Sequence, residues 1–366
     1  MTLKDELEND WGTQLVPSYI TDRCASKSSI ELDKLIRKDV RGFKLHNILS
    51  SGTNANQDTI LLATNYEPAR ALYGLCSYVG GNEYTQELST SMYDSSSALA
   101  GPKHPENATR RCLMQCVALP HWVDCQKFTL EEKEAYEDKC LRQLHKLLLV
   151  AKLKGTPFKA LLVEYILSGN GGELSYRYLR KLGILLKAYD VIVVADEVLT
   201  GGRVGPTMAM TTAPGMPKEF VERVEWITMG KFMLCAIILN RIPNKPTGKS
   251  ERLRGTSTVH EAGRAFCLWQ EVSTRMKAGF VERRKEQVLT KLGVDDNTEN
   301  AWGSGLLLFH QGTRWQMTKG LKNRALPMMD TSVPVRKLGI RKSHWCRSTV
   351  TEMLKDRAAE WMQSQV

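Results

Sequence analysis

Two runs of mostly apolar residues stand out in the middle of the chain, at residues 160–167 and 191–198. Runs of this length, rich in leucine and valine, are typical of parallel strands that are buried on both faces. Between them, apolar residues recur at the spacing of an amphipathic helix, namely Leu174, Tyr178, Leu182, Leu185 and Leu186. The pattern therefore predicts a βαβ unit, with the glycine-rich residues 169–172 as the turn into its helix.

Weaker patterns extend this prediction to the rest of the chain. The apolar residues 60–62 predict a helix that follows Gly52 and Thr53, and a longer helix is predicted over about residues 264–292. Beyond residue 297 we expect short strands, such as residues 306–309, and a final helix from about Ser348. The predicted fold class is α/β, with a mostly parallel central sheet, helices on both of its faces and a smaller C-terminal α+β domain. The predicted divisions are an N-terminal segment (1–45), a large domain (46–280) and a small domain (281–366).

Composition narrows the class of protein. The chain has 366 residues, of which 42% are hydrophobic and 25% charged, as in a globular protein with a large core. The acidic N-terminus lacks the apolar stretch of a secretory signal, and no apolar run is long enough for a membrane helix. Nine cysteines, an odd number spread along the chain, indicate reduced thiols rather than a disulfide framework. We therefore expect a cytoplasmic protein, with organellar targeting left open.

Four of the potential metal ligands lie close together in the sequence: Cys112, Cys116, His121 and Cys125. Their spacing matches no compact zinc signature, so buried thiols are the favoured interpretation. We predict no bound metal.

The net charge of +11 comes entirely from residues after 240. Such an asymmetry is found on nucleic-acid-binding surfaces. Here the basic residues are scattered and few aromatic residues lie among them, which favours a basic face that attracts small anionic substrates.

Three separated features supply the chemistry of one cofactor. Asp196 directly follows residues 191–195, the apolar part of the second run, and ligands of parallel sheets bind at the carboxyl ends of the strands. Lys231 is followed by apolar residues, and a lysine in a dry pocket can form a Schiff base. Gly52 and Thr53 begin a predicted helix, whose free amides suit a phosphate. A carboxylate for a pyridinium nitrogen, a lysine for an aldehyde and a phosphate-binding turn are together what pyridoxal phosphate requires.

Each of these features also has a plain structural interpretation: a turn cap for Asp196, a surface cation for Lys231 and a helix cap for Thr53. Their order and spacing, however, resemble the class III aminotransferases, which are pyridoxal-phosphate enzymes of fold type I. The resemblance covers roughly residues 45–310. It is carried by residues 51–56, 77–80, 164, 196–201, 228–231 and 255–258.

The resemblance implies a role for each matched residue. Lys231 would form the Schiff base with the cofactor, Asp196 would pair with its ring nitrogen, and Glu164 would help to gate the site. Val198 would pack on one face of the ring, and Tyr78, in preference to Tyr84, would stack on it. Thr258, in preference to Thr256, would reach the phosphate of the neighbouring subunit, so a homodimer with its active site at the subunit interface is implied. The remaining phosphate contacts would come from Ser51, Gly52 and Thr53.

The implied reaction moves an amino group between an amino compound and a 2-oxo acid, so the expected partners are small molecules rather than membranes or nucleic acid. Recognition of a substrate carboxylate would need an arginine. Four arginines are candidates, although each is more simply interpreted as a surface residue: Arg203, Arg336, Arg341 and Arg347.

Several positions depart from the family pattern. Val79 replaces a histidine, Leu199 replaces a glutamine, and loop 201–205 is one residue short. The glycines that normally follow the lysine are replaced by apolar residues, namely Met233, Leu234 and Cys235. Two alternative hypotheses therefore stay open: a lyase or amino mutase with the same cofactor, and a catalytically degenerate structural or regulatory module.

Overall fold

The computed structural model describes residues 27–76, 114–122, 128–167, 172–204, 215–231, 235–242, 259–277, 301–304, 307–311 and 335–336, with residues 208, 210, 211, 213, 233, 283 and 286. The helices are α1 (Lys27–Asp39), α2 (Gly52–Ala63), α3 (Leu130–Leu153), α4 (Tyr176–Ala188), the short α5 (Lys218–Val221) and α6 (Val259–Lys277), with a 3₁₀ turn at Pro68–Arg70. The strands are β1 (Phe43–Leu49), β2 (Ala71–Cys76), β3 (Gln115–Leu119), β4 (Ala160–Val163), β5 (Ile192–Glu197), β6 (Val224–Met229), β7 (Ala236–Arg241), β8 (Ala301–Ser304), β9 (Leu307–Gln311) and β10 (Val335–Arg336).

Seven strands form the central sheet, in the order β1-β7-β6-β5-β4-β2-β3. The five strands from β6 to β3 are parallel to one another, and β7 runs antiparallel to both of its neighbours. The predicted fold class, an α/β protein with a mostly parallel central sheet, is confirmed.

Both faces of this sheet are buried, because side chains along its central strands alternate between two hydrophobic clusters. In β4, Leu161 and Val163 belong to the large cluster that also contains residues of α1, α3, α4 and α6. Ala160 and Leu162 face the other way, toward Ile60 of α2. The two apolar runs in the sequence therefore reflect burial on both faces of the sheet, as predicted.

The βαβ unit forms as predicted, with α4 between β4 and β5. The strand β4 is shorter than the predicted residues 160–167, because the chain turns away after Val163. Ile166 forms an isolated bridge with Glu173, and the Leu167 amide donates to the Gly172 carbonyl. These buried apolar residues thus line a loop rather than continue the strand.

Side-chain caps fix the beginnings of the helices on either side of this unit. Ser51 caps α2 and Ser175 caps α4, each accepting a hydrogen bond from a backbone amide three residues ahead. At α3, Thr129 and Glu132 form a reciprocal capping box.

The N-terminal helix α1 packs on α6 and β1. The Trp269 indole of α6 donates to Asp39 Oδ2 over 3.0 Å, and the Leu45 amide donates to Asp33 Oδ1 over 2.7 Å. The sequence pattern predicts that this helix begins near residue 264, but α6 begins at Val259.

Strands β8, β9 and β10 form a separate three-stranded antiparallel sheet. The strand predicted at residues 306–309 is β9 within it, whereas the predicted helix from Ser348 lies outside the described residues. The domain divisions at residues 45 and 280 stay a prediction. No helix in the described part of the chain is long and apolar enough to cross a membrane.

Candidate active site

The carboxyl edge of the parallel strands brings three separated segments together. Asp196 lies near the end of β5, directly opposite Thr228 of β6 in the strand register. Lys231 follows the end of β6 by two residues, and the turn after β1 leads through Ser51 into α2. Open parallel sheets bind their ligands at this edge, so the predicted site lies where the fold favours one.

The Asp196 carboxylate is buried and held by two hydrogen bonds, one to each oxygen. The Asn56 side-chain amide donates to Oδ2 over 2.7 Å, and the Val198 backbone amide donates to Oδ1 over 3.0 Å. Burial raises the pKa of Asp196, while these two donors and the positive charge of Lys231 act in the opposite direction. The side chain is therefore a carboxyl group removed from water, with a cationic amine close enough to influence it.

Glycines allow the segments around Asp196 to approach closely. A Cβ atom placed on Gly52 would lie 2.4 Å from Val198 Cγ1, and one on Gly230 would lie 3.5 Å from the same atom. Val198 thus contacts both the beginning of α2 and the residue before Lys231. The predicted phosphate-binding turn, the Asp196 segment and the Lys231 segment therefore meet at this one side chain.

The beginning of α2 offers backbone donors. Ser51 accepts a hydrogen bond from the Asn54 amide over 3.2 Å, so its hydroxyl serves as the helix cap. Amides in the first turn of a helix have no acceptor within the helix. Gly52 and Thr53 occupy that turn, and Thr53 is exposed. This geometry suits an anion such as a phosphate.

Lys231 has a left-handed backbone, with φ 54°, which is uncommon for a residue with a side chain. The loop after it is anchored by buried apolar residues rather than glycines. Met233 and Cys235 are buried and belong to the same hydrophobic cluster as Phe266 and Trp269 of α6. Burial raises the pKa of the Cys235 thiol to about 12, so this cysteine is a packing residue rather than a nucleophile.

Several solved structures that share this fold are aminotransferases or transaminases. A Bacillus anthracis aminotransferase is 16% identical, with a TM-score of 0.56 over 85% of this chain and 70% of that one. An amine transaminase from an uncultivated Pseudomonas species, solved in its PLP-bound form, is 15% identical, with a TM-score of 0.57 over 85% and 72%. The lysine aminotransferase of M. tuberculosis is 12% identical, with a TM-score of 0.59 over 84% and 72%. No protein-family model and no curated protein matches the chain.

The chain has the transaminase fold. The resemblance to class III aminotransferases is thereby confirmed at the level of the fold type I architecture. Asp196 and Lys231, the two residues on which that resemblance mainly rested, lie at the carboxyl edge of the sheet of this fold.

Glu164 lies just beyond the end of β4, at the same edge of the transaminase fold, and is buried. Its carbonyl oxygen is 2.8 Å from His121 Nε2. Because a carbonyl can only accept, Nε2 carries the hydrogen, and His121 ties the turn after β3 to the chain after β4. Burial lowers the pKa of His121 to about 4, so the ring is neutral at physiological pH. Among the described residues, no cluster of three or more potential metal ligands is present.

Arg203 is buried rather than on the surface, contrary to the simpler interpretation of its sequence. Its Nη1 atom donates to the Leu199 carbonyl over 3.0 Å, which holds the loop after β5. Arg336 lies in β10, far along the chain. The other two arginine candidates, Arg341 and Arg347, lie outside the described residues.

Four of the residues considered for cofactor binding also lie outside the described residues: Tyr78, Tyr84, Thr256 and Thr258. Conversely, Asn56 lies within the matched segment 51–56 without an implied role, and in the structure it is a direct partner of Asp196. Its position was a usable signal. Asn56 follows Gly52 by four residues in α2, so both lie on one face of that helix.

Proposed function

We propose that the protein is a pyridoxal-phosphate-dependent aminotransferase, which moves an amino group between an amino compound and a 2-oxo acid. The observation that carries the proposal is the buried Asp196 carboxylate, held by Asn56 and Val198 within the influence of the Lys231 charge. A buried, hydrogen-bonded carboxylate is the group that would keep a pyridine nitrogen protonated. The solved neighbours of the same fold include a transaminase in a PLP-bound form.

The residues present fit this cofactor. The amides of Gly52 and Thr53 would bind its phosphate, and Val198 would contact one face of its ring. Tyr78 is proposed for the other face. When bound, the cofactor supplies an electron sink that stabilises negative charge at the substrate carbon.

The protein's own groups would then perform three tasks. The Lys231 amine would hold the cofactor covalently through its aldehyde and, once released by substrate, would move a proton from the substrate carbon. The Asp196 carboxylate would hold the proton on the ring nitrogen. Glu164, buried at the end of β4, is proposed to control access of the substrate to the site.

A homodimer completes the proposal, with Thr258 binding the phosphate held by the partner subunit. The expected substrates are a small amine and a 2-oxo acid. The apolar residues that replace glycines after Lys231 do not by themselves indicate loss of activity, because Met233 and Cys235 are buried within the large hydrophobic cluster.

The first test is the absorbance spectrum of the purified protein after addition of pyridoxal phosphate, beside Lys231→Ala and the control Lys218→Ala. The Lys218 side chain is 86% exposed, so its removal should change nothing. We expect a visible band, sensitive to borohydride, in the wild-type protein and in the control but not in Lys231→Ala. Absence of the band from the wild-type protein, or its presence in Lys231→Ala, would reject the proposed role of Lys231.

If the band is present, incubation with a panel of amines and 2-oxo acids distinguishes the reaction classes. An aminotransferase yields a new amino acid from the 2-oxo acid. Loss of ammonia or carbon dioxide, or movement of the amino group within one molecule, would instead support a lyase or an amino mutase.

A further inference from the structure

Asp196 is not positioned by its own strand alone. We infer that Asn56 and Thr228 form a positioning pair, which aims the Asp196 carboxylate at the ring nitrogen of the cofactor. The inference rests on the proposed function, and it assigns a role to two residues that do not themselves touch the cofactor.

The pair consists of a short chain of hydrogen bonds. The Thr228 hydroxyl donates to Asn56 Oδ1, and the Asn56 amide nitrogen donates to Asp196 Oδ2 over 2.7 Å. All three residues are nearly inaccessible to water, with exposed fractions of 0%, 1% and 3% respectively. A buried network of hydrogen bonds is rigid only when every polar group in it has a partner, and here each of the three side chains has one.

The chemistry of the groups fixes the direction of the chain. An ionised carboxylate can only accept hydrogen bonds, so the NH₂ group of Asn56 must face Asp196. The amide oxygen of Asn56 then faces Thr228, whose hydroxyl hydrogen can rotate toward it. The acceptor-only carboxylate thus fixes the orientation of the Asn56 amide, Thr228 restrains the position of that amide through its oxygen, and Asn56 favours the charged form of Asp196.

The pair is built on rigid elements. Thr228 is paired on both sides within the sheet, with Asp196 of β5 and Ile238 of β7. Asn56 lies one helical turn after Gly52 in the capped helix α2. The helix that presents amides for the phosphate therefore also holds the carboxylate for the ring nitrogen. The distance between these two ends of the cofactor site is set by a single turn of α2.

A functional readout follows from this arrangement. The positioning pair acts on the ring nitrogen through Asp196. Its loss should therefore weaken binding only of a cofactor that has that nitrogen. The analogue in which the ring nitrogen is replaced by carbon keeps the aldehyde and the phosphate, but it offers nothing to Asp196. It serves as an internal control for general damage to the site.

The experiment measures the dissociation constants of pyridoxal phosphate and of the carbon analogue for the wild-type protein, Asn56→Ala, Thr228→Val and Thr228→Ser. We expect the wild-type protein to prefer pyridoxal phosphate by about tenfold or more, the value of a hydrogen bond to a charged group. Asn56→Ala and Thr228→Val should lose most of this preference, while their affinity for the analogue stays close to that of the wild-type protein. Thr228→Ser keeps the hydroxyl and should keep the preference.

Thr228→Val has nearly the shape of threonine, so it tests the inference even if Asn56→Ala folds poorly. Equal weakening of both ligands in the variants would overturn the inference while leaving the proposed function intact, since a purely structural role predicts that result. Failure of the wild-type protein to bind either ligand through Lys231 would overturn the proposed function, and the inference with it.

Discussion

Gly52 lies directly against the side chain of Val198, although the two residues lie far apart in the sequence. A Cβ atom on Gly52 would come within 2.4 Å of Val198 Cγ1 and 2.8 Å of Cγ2. Real Cβ atoms do not approach other carbons so closely, so any larger residue at position 52 must displace Val198. Because position 52 has no side chain, the beginning of α2 can pack directly against Val198 at the end of β5.

Replacement of Gly52 by alanine should therefore disturb the site more than its size suggests. We expect Gly52→Ala to destabilise the protein by about 1–3 kcal/mol, the usual cost of overpacking, and to weaken binding of pyridoxal phosphate. Gly230→Ala is the matched control, because its Cβ would meet Val198 at an ordinary 3.5 Å. Urea unfolding and cofactor titration measure both effects. A Gly52→Ala protein as stable as Gly230→Ala would contradict the close contact.

The centre of the fold could be predicted from the sequence because its signal is local. β4, α4 and β5 are encoded by two apolar runs and one amphipathic pattern, and α2 by a capped apolar segment. Asp196 and Lys231 were likewise predictable, because each lies next to a strand that the pattern already marks. Their appearance at one edge of the sheet follows from the parallel order of β5 and β6.

Contacts between distant segments could not be predicted in this way. The spacing of Asn56 from Gly52 places the two on one face of α2, but it does not indicate that Asn56 bonds to Asp196, 140 residues away. The sequence presents His121 only as a potential metal ligand. Its hydrogen bond to the Glu164 carbonyl could not be predicted, because it depends on how the chain segments after β3 and β4 lie beside each other. In the sequence Met233 is a departure from the family pattern, and only its burial in the large hydrophobic cluster shows why an apolar residue is suitable there.

Asp196→Asn should separate activity from stability. Asp196→Asn removes a buried charge, which favours the folded state, but it offers only one acceptor oxygen to the two donors Asn56 and Val198. Because these two effects oppose each other, the free energy of unfolding should change by under about 2 kcal/mol. Turnover should fall by about 100-fold or more, as is usual when a preorganised charge is removed from an active site.

The neighbouring Glu197 provides the contrast to Asp196. Its buried carboxylate accepts hydrogen bonds from the Thr200 hydroxyl and the Met210 amide, and so it holds the loop after β5. Glu197→Gln should lose stability and retain most of its turnover. The opposite result, with Glu197→Gln inactive and Asp196→Asn active, would mean that the roles of the two carboxylates have been exchanged.

Glu137 is predicted to be the most important carboxylate for stability on α3. It is buried and accepts hydrogen bonds from Trp122 Nε1 over 3.1 Å, from Arg177 Nη1 over 2.8 Å and from the Ser175 hydroxyl. Glu137→Ala leaves these donors without their acceptor and should cost about 3–5 kcal/mol. Glu134→Ala, on the same helix and 43% exposed, removes only a 3.4 Å ion pair with Arg177 and should cost under about 1 kcal/mol. Equal losses in urea unfolding would show that Glu137 is no better bound than a surface charge.

The buried side chain of Met233 predicts that glycine, the residue type of the family pattern, is not tolerated in this loop. Met233 is fully buried in the large hydrophobic cluster. We expect Met233→Gly to destabilise the protein by about 2–5 kcal/mol, because it leaves a cavity and removes the packing of the loop that follows Lys231. Met233→Leu conserves volume and should cost under about 1.5 kcal/mol. If Met233→Gly unfolds at the same urea concentration as Met233→Leu, the loop does not depend on this packing.

His121 should make the protein less stable in acid. Burial lowers its pKa from 6.5 to about 4, so the unfolded chain takes up a proton at a pH at which the folded protein does not. The contribution of His121 to stability is therefore complete above pH 6.5 and is lost as the pH falls toward 4, by about 3 kcal/mol in total.

His121→Gln retains a donor for the Glu164 carbonyl but cannot titrate, so its free energy of unfolding should fall less steeply over this range. His145→Gln, at an exposed position of α3, is the matched control for the replacement of a histidine away from the Glu164 carbonyl. Because carboxylates titrate at the lower end of the same range in every variant, the decisive quantity is the difference in slope between His121→Gln and the wild-type protein. A difference of zero would mean that the His121 ring is as accessible to protons in the folded protein as in the unfolded chain.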